Sequence, residues 1–191
     1  MGNRSVFLLV LLMGMVQSVF SQGRYNGYVV TTDNDTITGV IELGSDALRA
    51  VRVTFTDYET RKAVELEPFQ IKSYFANNQT YDSKVYDVDS GLDYGFAVFM
   101  ERLESGYVYL YKYWNNKRKR FEFILEGDDK KMTLVKRFKF RKEMSVYFKD
   151  NQLLRAKIIR HIYRMKHLKT IVHQYNDWKQ KSIAERLTKK N

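Results

Sequence analysis

Aromatic and basic side chains are concentrated in one stretch of the chain, residues 107–125, which reads YVYLYKYWNNKRKRFEFIL. Alternating apolar residues on both sides of NNKRKR predict a β-hairpin with the cations at its tip. Four phenol rings would then share one face of the first strand: Tyr107, Tyr109, Tyr111 and Tyr113. An aromatic row beside cations can stack on sugars or bases. The alternative, which strand propensity favours, is a structural row packed under a helix with its hydroxyls in water.

Cations of the C-terminal half form a second candidate site. Residues 111–191 contain 24 Lys and Arg against 8 Asp and Glu, whereas residues 22–110 contain 8 against 14. This asymmetry predicts an anionic partner, although solvation of an outer face explains any single cation equally well. We expect neutralising the tip cations to leave the fold intact, because a hairpin tip contributes little to a core. The candidate anion-binding residues are Lys117, Arg118, Lys119, Arg120, Arg155, Arg160 and Arg164.

Carboxylates offer a third kind of chemistry. The polar segment DNDT contains Asp33, Asn34 and Asp35 between two apolar alternations, where a hairpin turn needs residues that bond their own backbone. We interpret it as a turn rather than a site. A hydrolase site would instead require the fold to bring together Asp82, Asp87, Asp93 and Glu101.

The three histidines do not predict a metal site. His161, His167 and His173 are six residues apart, so on one straight helix they point about 120° apart. Helical ligands of one metal recur at i, i+4, and the chain contains no cysteine. Phosphate-cradling loops and the common hydrolase motifs are also missing from the sequence. We therefore predict no bound metal, no cofactor and no catalytic residues.

The elements that must position these residues begin after an apolar leader. Residues 1–21 contain one arginine, an apolar run from Val6 to Val16 and small residues before Gln22, which is typical of a secretory signal peptide. We expect export to the periplasm, to the outer-membrane surface or out of the cell. No later stretch is apolar enough to predict a transmembrane span.

The apolar period changes along the mature chain. Up to residue 137 it is mainly two, as in Ile37/Ile41 and Phe121/Phe123, which predicts antiparallel strands in a sandwich or barrel-like arrangement. Residues 95–103 are apolar on both parities and indicate a central strand covered on both sides. After residue 138 the spacing becomes helical, with one stripe at Leu168, Ile171, Val172, Tyr175 and Trp178 and another at Leu154, Ile158, Ile162 and Met165.

The predicted fold class is therefore α+β. A β-rich domain spans residues 22–137, and a basic amphipathic helical appendage spans residues 138–191. We expect the apolar stripe of this appendage to dock on the chain's own sheet, because an exposed stripe would promote aggregation.

Two blocks of sequence resemble a family of uncharacterised exported proteins of the Bacteroidetes type. The first follows the opening strand, where Asn34 replaces the usual glycine and Asp35, Thr36, Ile37 and Gly39 match. The second is the mid-chain block made of Phe99, Glu101, Arg102, Leu103, Gly106, Leu110 and Tyr111. The resemblance implies a periplasmic or surface location and carries no known activity.

These features together predict an exported, non-enzymatic binding or scaffold protein of the cell envelope. Its basic C-terminal face would engage lipopolysaccharide, an acidic glycan or a negatively charged protein. The alternatives are an envelope hydrolase with an acidic site and an extracellular nucleic-acid binder that uses the tyrosine row and the hairpin tip. The leader argues against a nucleic-acid partner.

Overall fold

A computed structural model describes residues 23–86 and 96–188. The predicted signal peptide, residues 1–21, lies outside the described residues. Ten strands of the described chain form one antiparallel sheet in the order β10-β9-β8-β7-β6-β5-β1-β2-β3-β4. They are β1 (Gly23–Thr31), β2 (Thr36–Leu43), β3 (Val53–Asp57), β4 (Ala63–Leu66), β5 (Ile71–Ala76), β6 (Gln79–Tyr86), β7 (Phe96–Glu104), β8 (Tyr109–Asn115), β9 (Arg120–Glu126) and β10 (Met132–Leu134).

The described helices are one short helix between strands and three that follow the sheet. They are α1 (Asp46–Arg49), α2 (Phe140–Tyr147), α3 (Gln152–Ile159) and α4 (Leu168–Thr188), with 3-10 turns at Arg137–Lys139 and Met165–His167. The Asn151 side chain caps α3 by accepting from the Leu154 N–H at 3.0 Å. The predicted α+β fold, antiparallel and β-rich with C-terminal helices, is confirmed. No helix among the described residues is long and apolar enough to cross a bilayer.

Asp33, Asn34 and Asp35 of the segment DNDT lie in the turn between β1 and β2, as predicted, and Thr36 begins β2. Asn34 has a φ of 74°, a conformation that asparagine tolerates better than most residues. The Asp35 N–H donates to the Thr31 hydroxyl at 3.1 Å. Turn geometry therefore accounts for this polar cluster.

The sheet curls around a first apolar cluster, the N-terminal core, which includes Val29, Ile41, Phe55, Tyr74 and Phe99. The Phe99 N–H in β7 donates to the carbonyl oxygen of Ala50, which follows α1, at 2.9 Å. In the sheet, β7 is separated from β2 by three strands, so this bond requires strong curvature. The pairing of β7 with β8 ends at Glu101 and Lys112. Beyond this point α1 lies against the end of β8, where the Asn116 amide donates to the Ala47 carbonyl at 3.2 Å.

The central strand β7 is covered on both faces, as its sequence predicted. Phe99 points into the N-terminal core. Its neighbours Val98 and Met100 lie on the other face and pack with Tyr111 and Ile124. Because successive side chains of β7 are buried on both faces of the sheet, its sequence does not alternate between apolar and polar residues.

The helices pack on β8 and β9 and form a second apolar cluster, the C-terminal core. Docking of the predicted helical stripes on the chain's own sheet is confirmed. One departure occurs at Ile162, which is exposed because α3 already ends at Ile159. The C-terminal core contains Val108, Leu110, Leu125, Val135, Phe140, Met144, Phe148, Leu154, Ile158, Leu168, Ile171, Val172 and Tyr175.

A buried amide fixes α4 to the loop between β7 and β8. The Asn176 side chain accepts from the Val108 N–H at 2.9 Å and donates to the Val108 carbonyl at 2.9 Å and to the Ser105 carbonyl at 3.4 Å. Gly106 in this loop has a φ of 155°, and a Cβ there would lie 2.6 Å from the Asn176 side chain. The loop therefore needs glycine at this position and the amide opposite it.

Asp150, between α2 and α3, is expected to make stability depend on pH. Its carboxylate accepts from the Tyr175 hydroxyl at 2.8 Å and from Lys179 Nζ at 3.1 Å. Burial raises the pKa of Asp150, but the hydrogen bonds outweigh it and leave the pKa below its ordinary value of 3.8. A lowered folded-state pKa stabilises the fold above the unfolded-state value, and the contribution is lost as the pH falls through the lowered pKa.

We expect Asp150→Asn to destabilise the protein at neutral pH by about 1 kcal/mol or less, because the group is partly exposed. Urea unfolding of the variant and the wild type should show this difference shrinking below pH 3.8. Glu185→Gln on the exposed end of α4 is the control. A difference that persisted undiminished in acid would contradict an electrostatic origin.

Candidate functional site

A groove with a cavity volume of about 1100 Å³ runs beside β8, β9 and β10, between the segment that follows β10 and the start of α4. Seven cations line it, and we call it the basic groove. They are Arg118, Arg120, Lys136, Arg137, Lys139, Lys166 and Lys169.

Three separate elements bring these cations together. Arg118 and Arg120 belong to the turn between β8 and β9 and to the start of β9. The 3-10 turn Arg137–Lys139 follows β10, and its approach is fixed by buried Val135, whose N–H donates to the Phe123 carbonyl at 2.8 Å. The second 3-10 turn and the first turn of α4 supply the remaining two lysines.

One carboxylate borders the groove and is already neutralised. Glu122 is 4% exposed and accepts from Arg118 Nη1 at 2.8 Å, Arg120 Nη2 at 3.4 Å and Asn115 Nδ2 at 3.0 Å. A buried carboxylate needs such partners because desolvation disfavours its charge. We expected the cations at the tip of the β8–β9 hairpin to contribute little to the fold. Arg118 and Arg120 depart from this expectation, because they pair with the buried carboxylate of Glu122.

Four cations of the groove have no carboxylate partner. Lys136, Arg137, Lys139 and Lys166 are exposed and form no ion pair with any described residue. Lys169 lies 3.9 Å from Glu104, at the edge of ion-pair distance. The groove therefore has a positive field that its own side chains do not cancel.

Apolar side chains form the floor of the groove. Leu110, Val135 and Leu168 are buried members of the C-terminal core, and Leu103, Phe123 and Met165 pack against them with part of their surface exposed. Phe138 lies at the rim, between Arg137 and Lys139, and is 102% exposed.

The structure places the predicted anion-binding residues in two regions. Arg118 and Arg120 line the groove, whereas Lys117 and Lys119 are exposed in the adjacent turn and do not. Arg155, Arg160 and Arg164 are exposed on α3 and on the segment after it, outside the groove. Sequence reasoning missed the cations of residues 136–139, although the run KRFK showed three of them around one aromatic residue.

The tyrosine row lies outside the groove. Tyr109, Tyr111 and Tyr113 alternate along β8, and the rings of Tyr109 and Tyr111 stack 6.0 Å apart. Tyr111 is 1% exposed, and burial, followed by the nearby Asp82 and Glu126, raises the pKa of its hydroxyl. Tyr107 precedes β8 and lines a separate cavity beside Glu104 and His173.

The carboxylates of the predicted acidic site do not share a pocket in the described chain. Asp82 accepts from two nitrogens of Arg102. Glu101 accepts from Lys112 and Gln79, both at 3.0 Å. Asp82 pairs in register with Met100, the neighbour of Glu101, so the two carboxylates point to opposite faces of the sheet. Asp87 and Asp93 lie outside the described residues.

The three histidines occupy different elements rather than one helix. His161 follows α3 with a φ of 59°, and His167 closes the second 3-10 turn, where its Nδ1 accepts from the Arg164 N–H at 3.1 Å. His173 in α4 lies 3.5 Å from both Glu104 and Asp177. Residues 23–86 and 96–188 contain no group of three or more His, Asp or Glu side chains arranged to hold a metal ion.

Comparisons of this chain with protein-family models, with curated proteins and with solved structures found no match.

Proposed function

We propose that the protein is a non-enzymatic binding protein of the cell envelope and that the basic groove holds an anionic envelope component. The observation that carries this proposal is the group of four unpaired cations above an apolar floor. Lysine and arginine bind carboxylate and phosphate groups, and arginine does so through two parallel hydrogen bonds. The groove, at about 1100 Å³, is close to the upper end of the volumes of pockets that hold small molecules in proteins.

Export belongs to the same proposal. It is supported by the signal-peptide pattern of residues 1–21 and by the resemblance to exported proteins of the Bacteroidetes type. An envelope location would bring the groove close to lipopolysaccharide, acidic glycans and acidic proteins.

The two alternative functions have weaker support. Hydrolysis by paired carboxylates is disfavoured because Asp82 and Glu101 lie on opposite faces and each has a cationic partner. Binding of single-stranded nucleic acid usually combines cations with exposed aromatic rings. The predicted tyrosine row does not supply such rings at the groove, because Tyr111 is buried and none of the four tyrosines lines it. Phe138 is an exposed ring there, but the predicted signal peptide argues against a nucleic-acid partner.

Two triple variants with equal charge changes test where the anion binds. The groove variant is Arg137→Gln, Lys139→Gln and Lys166→Gln, and the matched control is Arg155→Gln, Arg160→Gln and Arg164→Gln. We expect the groove variant to bind lipopolysaccharide resin on the order of 100-fold more weakly, at about 1 kcal/mol for each of the three cations. The control variant should elute close to the wild type in a salt series, because its three cations lie outside the groove.

Circular dichroism and thermal melting should show both variants folded, since all six residues are exposed. Equal losses in the two variants would mean that only net charge matters. A loss confined to the control would move the site to α3 and overturn the groove assignment.

A further inference from the structure

We infer that the ligand of the basic groove is a single amphiphile with an anionic head group and an apolar chain. The inference rests on the proposed function and specifies the chemistry of its ligand. The head group would contact the rim cations, and the chain would lie along the apolar floor.

The composition of the groove supports an apolar chain rather than a sugar. Every side chain that lines it is apolar, aromatic without a hydroxyl, cationic, or the neutralised Glu122. No described residue of the lining is Ser, Thr, Asn, Gln, Tyr, Trp or His. Sugar hydroxyls in this groove could accept hydrogen bonds from the cations, but the only side-chain acceptor for their own hydrogens in the described lining, Glu122, already has three partners. Desolvated hydroxyls without acceptors are costly, whereas an alkyl chain needs no hydrogen bonds.

The floor exposes the surface that such a chain would cover. Leu103, Phe123 and Met165 are only partly buried, although they pack against the C-terminal core. Contact with an alkyl chain would remove their remaining apolar surface from water. The gain would be in proportion to the length of chain that contacts them.

The rim combines cations with one unpacked aromatic ring. Phe138 is 102% exposed, with Arg137 and Lys139 on either side of it in sequence. The flexible stems of lysine and arginine let their charged ends follow a head group in water while their methylenes contact the chain. The Phe138 ring would cover the apolar chain of the ligand at the rim of the groove.

Isothermal titration of the purified protein with four probes tests this inference. Dodecyl phosphate, kept below its micelle concentration, supplies the head group and the chain, and butyl phosphate supplies the same head group with a short chain. Dodecyltrimethylammonium supplies the same chain with a cationic head group. Vesicles of phosphatidylglycerol present anionic head groups whose chains are held in a bilayer.

We expect dodecyl phosphate to bind on the order of a hundredfold more tightly than butyl phosphate, because the additional methylenes are buried. Dodecyltrimethylammonium should not bind measurably. The variant Phe138→Ser with Met165→Ser should weaken dodecyl phosphate about tenfold and leave butyl phosphate unchanged. Leu153→Ser is the control, since Leu153 is exposed on α3 and lies outside the groove.

The outcomes separate this inference from the proposed function. If dodecyl phosphate and butyl phosphate bound equally and the protein were still retained on lipopolysaccharide resin, the inferred apolar chain of the ligand would be wrong. The proposed anion site would stand. If the protein sedimented with the vesicles but did not bind dodecyl phosphate, the ligand would be a membrane surface rather than a single amphiphile. Loss of binding to the resin and to every anionic probe would overturn the proposed function itself.

Discussion

Replacing Asn176 by leucine is expected to lower the free energy of unfolding by about 3–5 kcal/mol. Asn176 is 9% exposed, and its amide satisfies the N–H and the carbonyl of Val108 and the carbonyl of Ser105. Leucine has nearly the same size but neither donates nor accepts. The N–H and the carbonyl of Val108 would remain buried without partners, and an unsatisfied buried group costs about 1–3 kcal/mol.

Urea unfolding monitored by tryptophan fluorescence measures this loss. Gln180→Leu is the matched control, because it places leucine on an exposed position of the same helix and should change stability by about 0.5 kcal/mol or less. If Asn176→Leu were as stable as the control, the amide would not be what holds α4 to the loop.

Replacing Arg118 by methionine is expected to lower the free energy of unfolding by about 3 kcal/mol. Methionine keeps an unbranched stem but removes the guanidinium that binds Glu122 at 2.8 Å. Glu122 would remain buried with only Arg120, which is more distant at 3.4 Å, and the Asn115 amide. Removing one partner of a buried ion pair is costly because the other charge stays desolvated.

The double variant Arg118→Met with Glu122→Gln isolates this effect. Without a buried carboxylate, most of the lost stability should return, and a double-mutant cycle measures the coupling. Lys117→Met in the same turn is the control for the loss of one exposed cation. If the double variant were less stable than Arg118→Met alone, the buried charge would not explain the loss.

Much of the fold could be predicted because it depends on local period. The alternation of Phe121 and Phe123 predicted β9, and the i, i+3, i+4 spacing from Leu168 predicted α4. Local pattern also revealed that β7 is covered on both faces. The end of α3 was harder to predict, because Ile162 continues the apolar spacing although the chain turns at His161.

The candidate site was less predictable because it depends on how distant segments pack. The tip cations and those of residues 136–139 are separated in sequence by β9 and β10. They meet because β10 pairs with β9 and Val135 bonds Phe123. The spacing of residues in the sequence does not predict that these two groups of cations lie close together. Net charge indicated the half of the chain that contains all seven groove cations, but it could not separate these from the cations on α3.

The two cores are drawn from successive, non-overlapping stretches of the chain. The N-terminal core uses residues from Val29 to Phe99, and the C-terminal core uses residues from Val108 to Tyr175. In a polypeptide that emerges from its N-terminus first, every residue of one core is present before the first residue of the other. Strand β7 contains the last residue of the N-terminal core, Phe99, and it pairs with β8, which contains Leu110 of the C-terminal core. One continuous sheet is thus compatible with stepwise assembly as the chain emerges, because no core has to wait for distant partners.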